Sequence, residues 1–255
     1  MPQLTLHGAT YDIDAILFDK DGTLLNFGDL WIGWFDQLVT TLNQSLPEAH
    51  ALSHQALYPR VGIDPEQRLW DPTGPLTIGS LDDIATIVSL SLFEAGVAWN
   101  DATQLSHDAI ARLADTLDWP NCVTPVKGLM NFVAQARQAG IALAVVTSDD
   151  AHNAHLHLKL LSLADAFSAV LGHDQVSRGK PYPEMALLAC EQLGTAPQRT
   201  LIIGDSNGDM AMGQAAGLLG GIGICAAPHL DGSHLTHADH VIRDYDELTI
   251  ARPHH

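Results

Sequence analysis

Basic residues are scarce in this chain. Its 255 residues include 12 Lys and Arg against 30 Asp and Glu, for a formal net charge of −18. A surface this acidic argues against nucleic-acid binding, which draws on clustered Lys and Arg, and against anionic membranes. A small anionic ligand stays compatible, because a local pocket can be positive on an acidic protein. Cysteine is also scarce. Cys122, Cys190 and Cys225 lie far apart, with no CxxC pair and no disulfide framework, so free thiols in a reducing compartment are expected. No apolar run approaches bilayer length, and Pro2–Asp14 is too polar and mixed for a secretory signal. The expected location is the cytoplasm. The glycines at 204, 217, 220, 221 and 223 form no GxGxxG before a helix, so no dinucleotide fingerprint is present.

What is present begins with ILFDKDGTLL at Ile16–Leu25. Ile16, Leu17 and Phe18 read as the end of a buried strand within Ile13–Phe18. Asp19 and Asp21 follow, and Gly22-Thr23 turns the chain. Two carboxylates at a strand end suit a hard divalent cation or a division between nucleophile and proton carrier. They also suit an ordinary solvated turn.

Strand and helix alternate after Pro125. Apolar runs at Ile141–Val146, Thr200–Ile203 and Leu219–Ile224 predict strands, with shorter ones at Phe167–Leu171 and His240–Ile242. Helical patterns at Gly128–Ala139, Ala151–Leu161, Pro183–Leu193 and Asn207–Ala216 separate them. Continuously apolar strands between helices indicate a parallel sheet covered on both faces. Ile13–Phe18 belongs with them, and Gln3–Leu6 reads as an edge strand or one arm of a small hairpin.

Residues 29–118 differ. They carry 13 acidic and 3 basic residues and no convincing strand. Helices are expected at Asp29–Gln44, where Leu30, Trp34, Leu38 and Leu42 recur every four positions, from Pro47 toward Tyr58, and at Ser80–Glu94 and Asp101–Leu117. The proline-rich 59–77 reads as loop with at most short helical turns. The chain therefore reads as an α/β core of residues 1–28 and 119–255, Rossmann-like with helices on both faces, and an inserted α-helical cap of residues 29–118.

In open parallel sheets, ligands sit beyond the C-terminal strand ends. Asp19 and Asp21, Thr147 and Ser148, and Gly204-Asp205 occupy three such ends. Asp209 follows four residues after Asp205, and Lys180 lies in a GKPYP loop. Carboxylates for a cation, a hydroxyl and amides for phosphate oxygens, and one ammonium are what phosphoryl transfer requires.

FDKDGTL (Phe18–Leu24), VVTS (Val145–Ser148), GKPYPE (Gly179–Glu184) and GDSNGDM (Gly204–Met210), in that order and spacing, resemble the four motifs of the haloacid dehalogenase-like (HAD) superfamily of aspartate-nucleophile phosphatases. The likeness covers essentially the whole chain. Within that superfamily it looks closest to phosphoglycolate-phosphatase-like members with a small α-helical cap. The resemblance implies that Asp19 attacks phosphorus and that Asp21 protonates the leaving oxygen and then activates water. It implies Mg²⁺ held by Asp19, the backbone carbonyl of Asp21 and Asp205, with Asp209 in the outer shell. Gly22, Thr147, Ser148 and Lys180 would join Asp19 around the phosphate, with Lys180 and Thr147 also counted in the catalytic set. The segment after Thr23 would be the hinge of the cap.

The implied activity is Mg²⁺-dependent hydrolysis of a small phosphorylated metabolite, with 2-phosphoglycolate the leading substrate, by a monomer or homodimer. The alternatives are a phosphomutase of the beta-phosphoglucomutase type and a non-catalytic binding or regulatory protein of the same fold. Asp21 counts against the dehalogenase branch, and Thr23 fits phosphatases better than sugar-phosphate mutases. Asp149 and Asp150 depart from many relatives. They read mainly as caps of the helix beginning near Ala151, with a cationic substrate group as the sharper reading. Arg60 and Arg68 are the cap's candidates for substrate specificity, while Arg112 reads as surface. Trp31, Trp34 and Phe35 read as cap core rather than cleft lining. His234, His237 and His240 read as loop residues rather than a metal cluster, and His254 and His255 have no assigned role.

Overall fold

The computed structural model describes residues 2–251. His254 and His255 lie outside the described residues. By spatial clustering the chain divides into two compact units. One comprises the chain through Asn26 and again from Val123 on, and the other is Phe27–Cys122.

The first unit opens with a hairpin, β1 (Gln3–Leu6) and β2 (Ala9–Asp12), followed by β3 (Ala15–Phe18). His7 and Gly8 make the hairpin turn, both at positive φ. The second unit holds α1 (Phe27–Gln44), α2 (His54–Val61), α3 (Pro75–Ile78), α4 (Leu81–Glu94), α5 (Trp99–Thr116) and α6 (Trp119–Cys122). The chain then returns through α7 (Leu129–Gln138), β4 (Ala142–Val146), α8 (Ala151–Leu160), β5 (Ala169–Leu171) and α9 (Glu184–Leu193). It ends with β6 (Thr200–Gly204), α10 (Asn207–Ala215), β7 (Gly220–Ile224), β8 (His240–Ile242) and β9 (Thr249–Ala251).

Six strands form a parallel sheet in the order β5-β4-β3-β6-β7-β8. The centre is β3, which is buried along its whole length. Alternation along it sends successive side chains to opposite faces. Leu17 joins Met185, Ala189 and Met212 of α9 and α10 in one core cluster. Phe18 meets Phe132 of α7, Phe167 and Tyr245, with ring centroids 5.8–6.3 Å apart. Helices therefore cover both faces of a parallel α/β sheet, as expected from the run of apolar strands.

A second sheet, β2-β1-β9, is antiparallel. It settles Gln3–Leu6 as a hairpin arm. Its third strand, β9, has no alternating apolar pattern and was not foreseen. Tyr11 reaches His240 across the fold, with the phenol oxygen 2.8 Å from Nε2.

In the helical unit, Leu30, Trp34, Phe35, Leu38, Val39 and Leu42 of α1 are buried, as are Ile84, Val88 and Leu92 of α4. Trp31, Trp34 and Phe35 are all largely buried. Trp31 meets Trp34 edge-on at 5.3 Å, and Phe35 meets Tyr58 at 6.3 Å. The stretch from Pro47 toward Tyr58 is not one helix. A short 3-10 turn at Glu48–His50 precedes α2, which carries Pro59 inside it. Gly74 and Pro75 start one helical turn, α3, of the short kind expected within the proline-rich region. Ser80 caps α4 reciprocally with Asp83, the arrangement that satisfies two otherwise orphaned N–H groups.

Candidate active site

The parallel register places three strand ends together. Phe18 pairs with Val145 of β4 and Ile203 of β6, so the residues that follow emerge on one edge. The Asp19 N–H donates to Ile203 O at 2.9 Å, and the Thr147 N–H to Leu171 O at 2.9 Å. Asp19 and Thr147 are thus fixed by sheet pairing, and Asp205 directly follows Gly204, which pairs with Gly223 of β7.

Asp19, Asp205 and Asp209 offer carboxylate oxygens that lie within 4.8 Å of one another, the one such metal-compatible group among the described residues. Lys180 Nζ stands 2.5 Å from Asp19 Oδ1 and 2.6 Å from Asp209 Oδ1. Asp209 Oδ2 also accepts from the Ser206 hydroxyl at 2.6 Å and its N–H at 3.2 Å, closing a capping box at the start of α10. One carboxylate therefore starts a helix and holds the lysine. Gly204 makes room for it, since a Cβ there would lie 2.4 Å from Asp209 Cγ.

Burial pushes the Asp19 carboxyl up to about 6. Lys180 opposes this, while Asp209 and Asp21 add to it. Asp205 is pushed well above the ordinary carboxylate range, first by burial and then by Asp19 and Asp209. Lys180 is held charged by Asp19 and Asp209 against the cost of its burial. Two buried carboxylates, Asp19 and Asp209, with the half-buried Asp205 beside them and one ammonium, carry surplus negative charge. An all-oxygen donor set of this kind fits a hard divalent cation such as Mg²⁺.

Asp21 directs its side chain elsewhere. Its Oδ2 lies 2.7 Å from Nζ of Lys20, a residue with no exposed surface. Gly22 turns the chain at φ 77°, and its N–H donates to Leu25 O at 2.8 Å. Thr147 is buried, and its Oγ1 accepts the Asp149 N–H at 3.1 Å. Ser148 is half-buried beside it. The Lys180–Pro181 peptide is cis.

The two extra aspartates divide. Asp150 caps α8, accepting the Asn153 N–H at 2.7 Å. Asp149 does not cap. It is buried, with Oδ2 3.1 Å from Lys20 Nζ. The capping expectation holds for Asp150 and needs correction for Asp149, because the nearby ammonium claims its charge.

Arg60 and Arg68 each meet a carboxylate inside the helical unit. Arg60 pairs with Glu94 at 2.6 Å, and Arg68 pairs with Asp36 at 2.5 Å and donates to Tyr58 Oη at 2.8 Å. The C-terminal histidines disperse. His234 Nε2 is 3.1 Å from Asp205 O, His237 donates its backbone N–H to Asn207 Oδ1, and His240 meets Tyr11. Cys190 and Cys225 are buried free thiols, and Cys122 is a free, partly exposed one. No helix among the described residues is long and apolar enough to cross a membrane.

Sequence reasoning passed over Lys20, His157 and Tyr245. The Tyr245 hydroxyl donates to Thr23 O at 3.1 Å from beneath the site. A lysine set between two aspartates, directly after a wholly apolar strand, was the one available signal for Lys20.

A haloacid dehalogenase-like hydrolase family model matches residues 13–217. N-acetylmuramic acid 6-phosphate phosphatase of Pseudomonas aeruginosa is 31% identical over 208 residues, 80% of this chain and 79% of the relative. Pyrophosphatase PpaX of Anoxybacillus flavithermus is 29% identical over 206 residues, 81% of each. Among solved structures, a predicted phosphoglycolate phosphatase from Haemophilus somnus 129PT superposes with TM-score 0.65 at 18% identity, covering 92% of this chain and 95% of that one. A proposed beta-phosphoglucomutase from Thermotoga maritima superposes with TM-score 0.66 at 18% identity, covering 92% and 96%. At that identity the two structures share the fold, and they do so equally.

Proposed function

The chain belongs to the haloacid dehalogenase-like hydrolases, and from that premise we propose that it is a Mg²⁺-dependent phosphatase of a small phosphorylated metabolite working through an aspartyl-phosphate. The observation that carries the reading is the division of the carboxylates. Asp19 gathers with Asp205, Asp209 and Lys180, while Asp21, two residues away, stays outside that group on a different ammonium. A nucleophile and a proton carrier need this separation.

Asp19, Asp205 and the Asp21 backbone carbonyl are the groups that would hold Mg²⁺, with Asp209 behind them. When bound, the cation supplies charge neutralisation for the phosphoryl oxygens. An Asp19 carboxylate oxygen attacks phosphorus, the ester P–O bond breaks, and the leaving oxygen takes a proton from Asp21. Water then gives a proton to Asp21 while its oxygen attacks phosphorus. The Asp19–phosphorus bond breaks and inorganic phosphate leaves. Lys180 keeps Asp19 ionised and offsets charge on the phosphoryl group. Gly22, Thr147 and Ser148 line the phosphate position.

Both curated relatives bear the names of phosphate-releasing enzymes. That favours hydrolysis over the phosphomutase reading, for which the fold likeness alone speaks equally. 2-Phosphoglycolate leads the substrate proposal through the subgroup resemblance, and the relatives add pyrophosphate and a sugar 6-phosphate. Each would reach the site as a small anion from solution. The test is phosphate release from a panel holding all three, with Mg²⁺. Rapid release from one of them, lost in Asp19→Asn at unchanged fold by circular dichroism, is the expected result. Phosphate release by Asp19→Asn at the parent rate would overturn the nucleophile assignment. Isomerisation of a sugar phosphate with little free phosphate, dependent on added bisphosphate, would favour the mutase.

A further inference from the structure

Lys20 is wholly buried, which is rare for lysine unless its charge is matched. Its Nζ meets Asp21 from its own loop and two groups from the segment that begins α8. Asp21 Oδ2 lies at 2.7 Å, Asp149 Oδ2 at 3.1 Å and His157 Nδ1 at 2.9 Å. Burial, then the ammonium of Lys20, depresses His157 to about 3, so the ring is neutral and its Nδ1 lone pair accepts from Lys20. Asp149 is held from its other side. Its Oδ1 accepts the Asp150 N–H at 2.8 Å and the Asn153 side-chain amide at 3.1 Å. These partners are built on α8, whose start is capped by Asp150.

The site therefore contains two buried lysines with parallel tasks. Lys180 bridges Asp19 and Asp209, and Lys20 bridges Asp21 and Asp149. Neutralising Asp149 alone would not require the ammonium to reach Asp21 as well. The contact is the shorter of its two carboxylate contacts. The anchor is also continuous with the phosphate-facing loop, because the Asp149 N–H donates to Thr147 Oγ1.

Resting on the phosphatase reading, we propose that Lys20 is a positioning residue, which with Asp149 and His157 forms a buried anchor that sets where the Asp21 carboxylate stands relative to the leaving oxygen. Its consequence falls on one step. Proton delivery governs departure of an alkoxide, a poor leaving group. It matters little for p-nitrophenolate, which departs unprotonated. A residue that only supports the fold would affect both substrates alike.

The test compares kcat/KM for an alkyl phosphate monoester accepted by the parent with kcat/KM for p-nitrophenyl phosphate. This constant reports events up to leaving-group departure. The variants are Lys20→Met, which removes the ammonium, and Asp149→Asn, which withdraws the charge on the ammonium's far side while keeping its shape. General-acid assistance is worth about 10²–10⁴-fold. The alkyl-to-aryl ratio is expected to fall at least ~10-fold in Lys20→Met and about threefold or more in Asp149→Asn. If Lys20→Met does not fold, the ratio in Asp149→Asn decides. An unchanged ratio in the folded variants overturns the inference while leaving the phosphatase reading intact. A parent enzyme that releases phosphate from no member of the substrate panel and not from p-nitrophenyl phosphate overturns both.

Discussion

A Cβ atom on Gly22 would stand 2.0 Å from Oδ2 of Asp205. The turn that leaves β3 and the carboxylate that leaves β6 are in direct apposition, with only a hydrogen between them. Gly22 also holds φ 77°, a conformation that costs an L-residue about 1–2 kcal/mol. Gly22→Ala is therefore expected to displace the Asp205 side chain. Affinity for Mg²⁺, measured by calorimetry, should fall together with phosphatase activity. Tight Mg²⁺ binding in that variant would show that Asp205 can move without loss of the site.

In the metal-free protein the buried carboxylates oppose folding at neutral pH. Asp19 rises from 3.8 to about 6 on folding, and Asp205 is raised in the same direction. For Asp19 the folded state therefore binds more protons than the unfolded state between 3.8 and about 6, and Asp205 acts in the same direction. Their contribution to stability falls as pH climbs through that window. Mg²⁺ favours the carboxylate forms, so the rise in Tm on adding Mg²⁺ should be larger near neutral pH than at about pH 5. Thermal melts with Mg²⁺ and with chelator at the two pH values check this. An equal gain at both would argue that these aspartates are not where the ion binds.

Asp150 carries an N-cap, and Asp149 does not. Asp150→Ala should cost about 1 kcal/mol by urea unfolding, the usual worth of such a cap. An Asp150→Ser variant, which keeps a capping oxygen, should recover most of it.

The cap arginines each have a carboxylate at hand, Glu94 for Arg60 and Asp36 for Arg68. Both pairs are partly exposed, so each single Ala substitution should change stability by less than ~1 kcal/mol. Because both charges are already matched, KM for the best substrate should shift by less than about threefold in either variant. A tenfold rise in KM with unchanged kcat would return that arginine to substrate recognition.

Much of the α/β core was legible because its signals are local. Four apolar residues ending at Phe18, another run ending at Val146 and a third ending at Ile203 each announce a buried strand by composition alone. Parallel pairing then has to bring their C-terminal ends to one edge. The hairpin sheet was harder. β9 is three residues long with two exposed positions, and only pairing with β1 makes it a strand. Pro59 read as a helix breaker, yet it lies inside α2, two residues before the helix ends at Val61, where its missing N–H removes one bond of the ladder.

The sequence by itself determined the parallel core, the helical insertion and the residues standing at the strand ends, because strand periodicity, chain order and motif spacing are properties of neighbours along the chain. The tertiary structure alone decided how the charges pair. Lys20 and His157 are 137 positions apart, and Asp19 and Lys180 are 161 apart. No local pattern encodes such partners. They are chosen by burial, where an ammonium without a carboxylate is too costly to keep. That requirement took Asp149 from the helix cap, gave Asp21 a partner outside the metal-compatible cluster, and occupied both cap arginines.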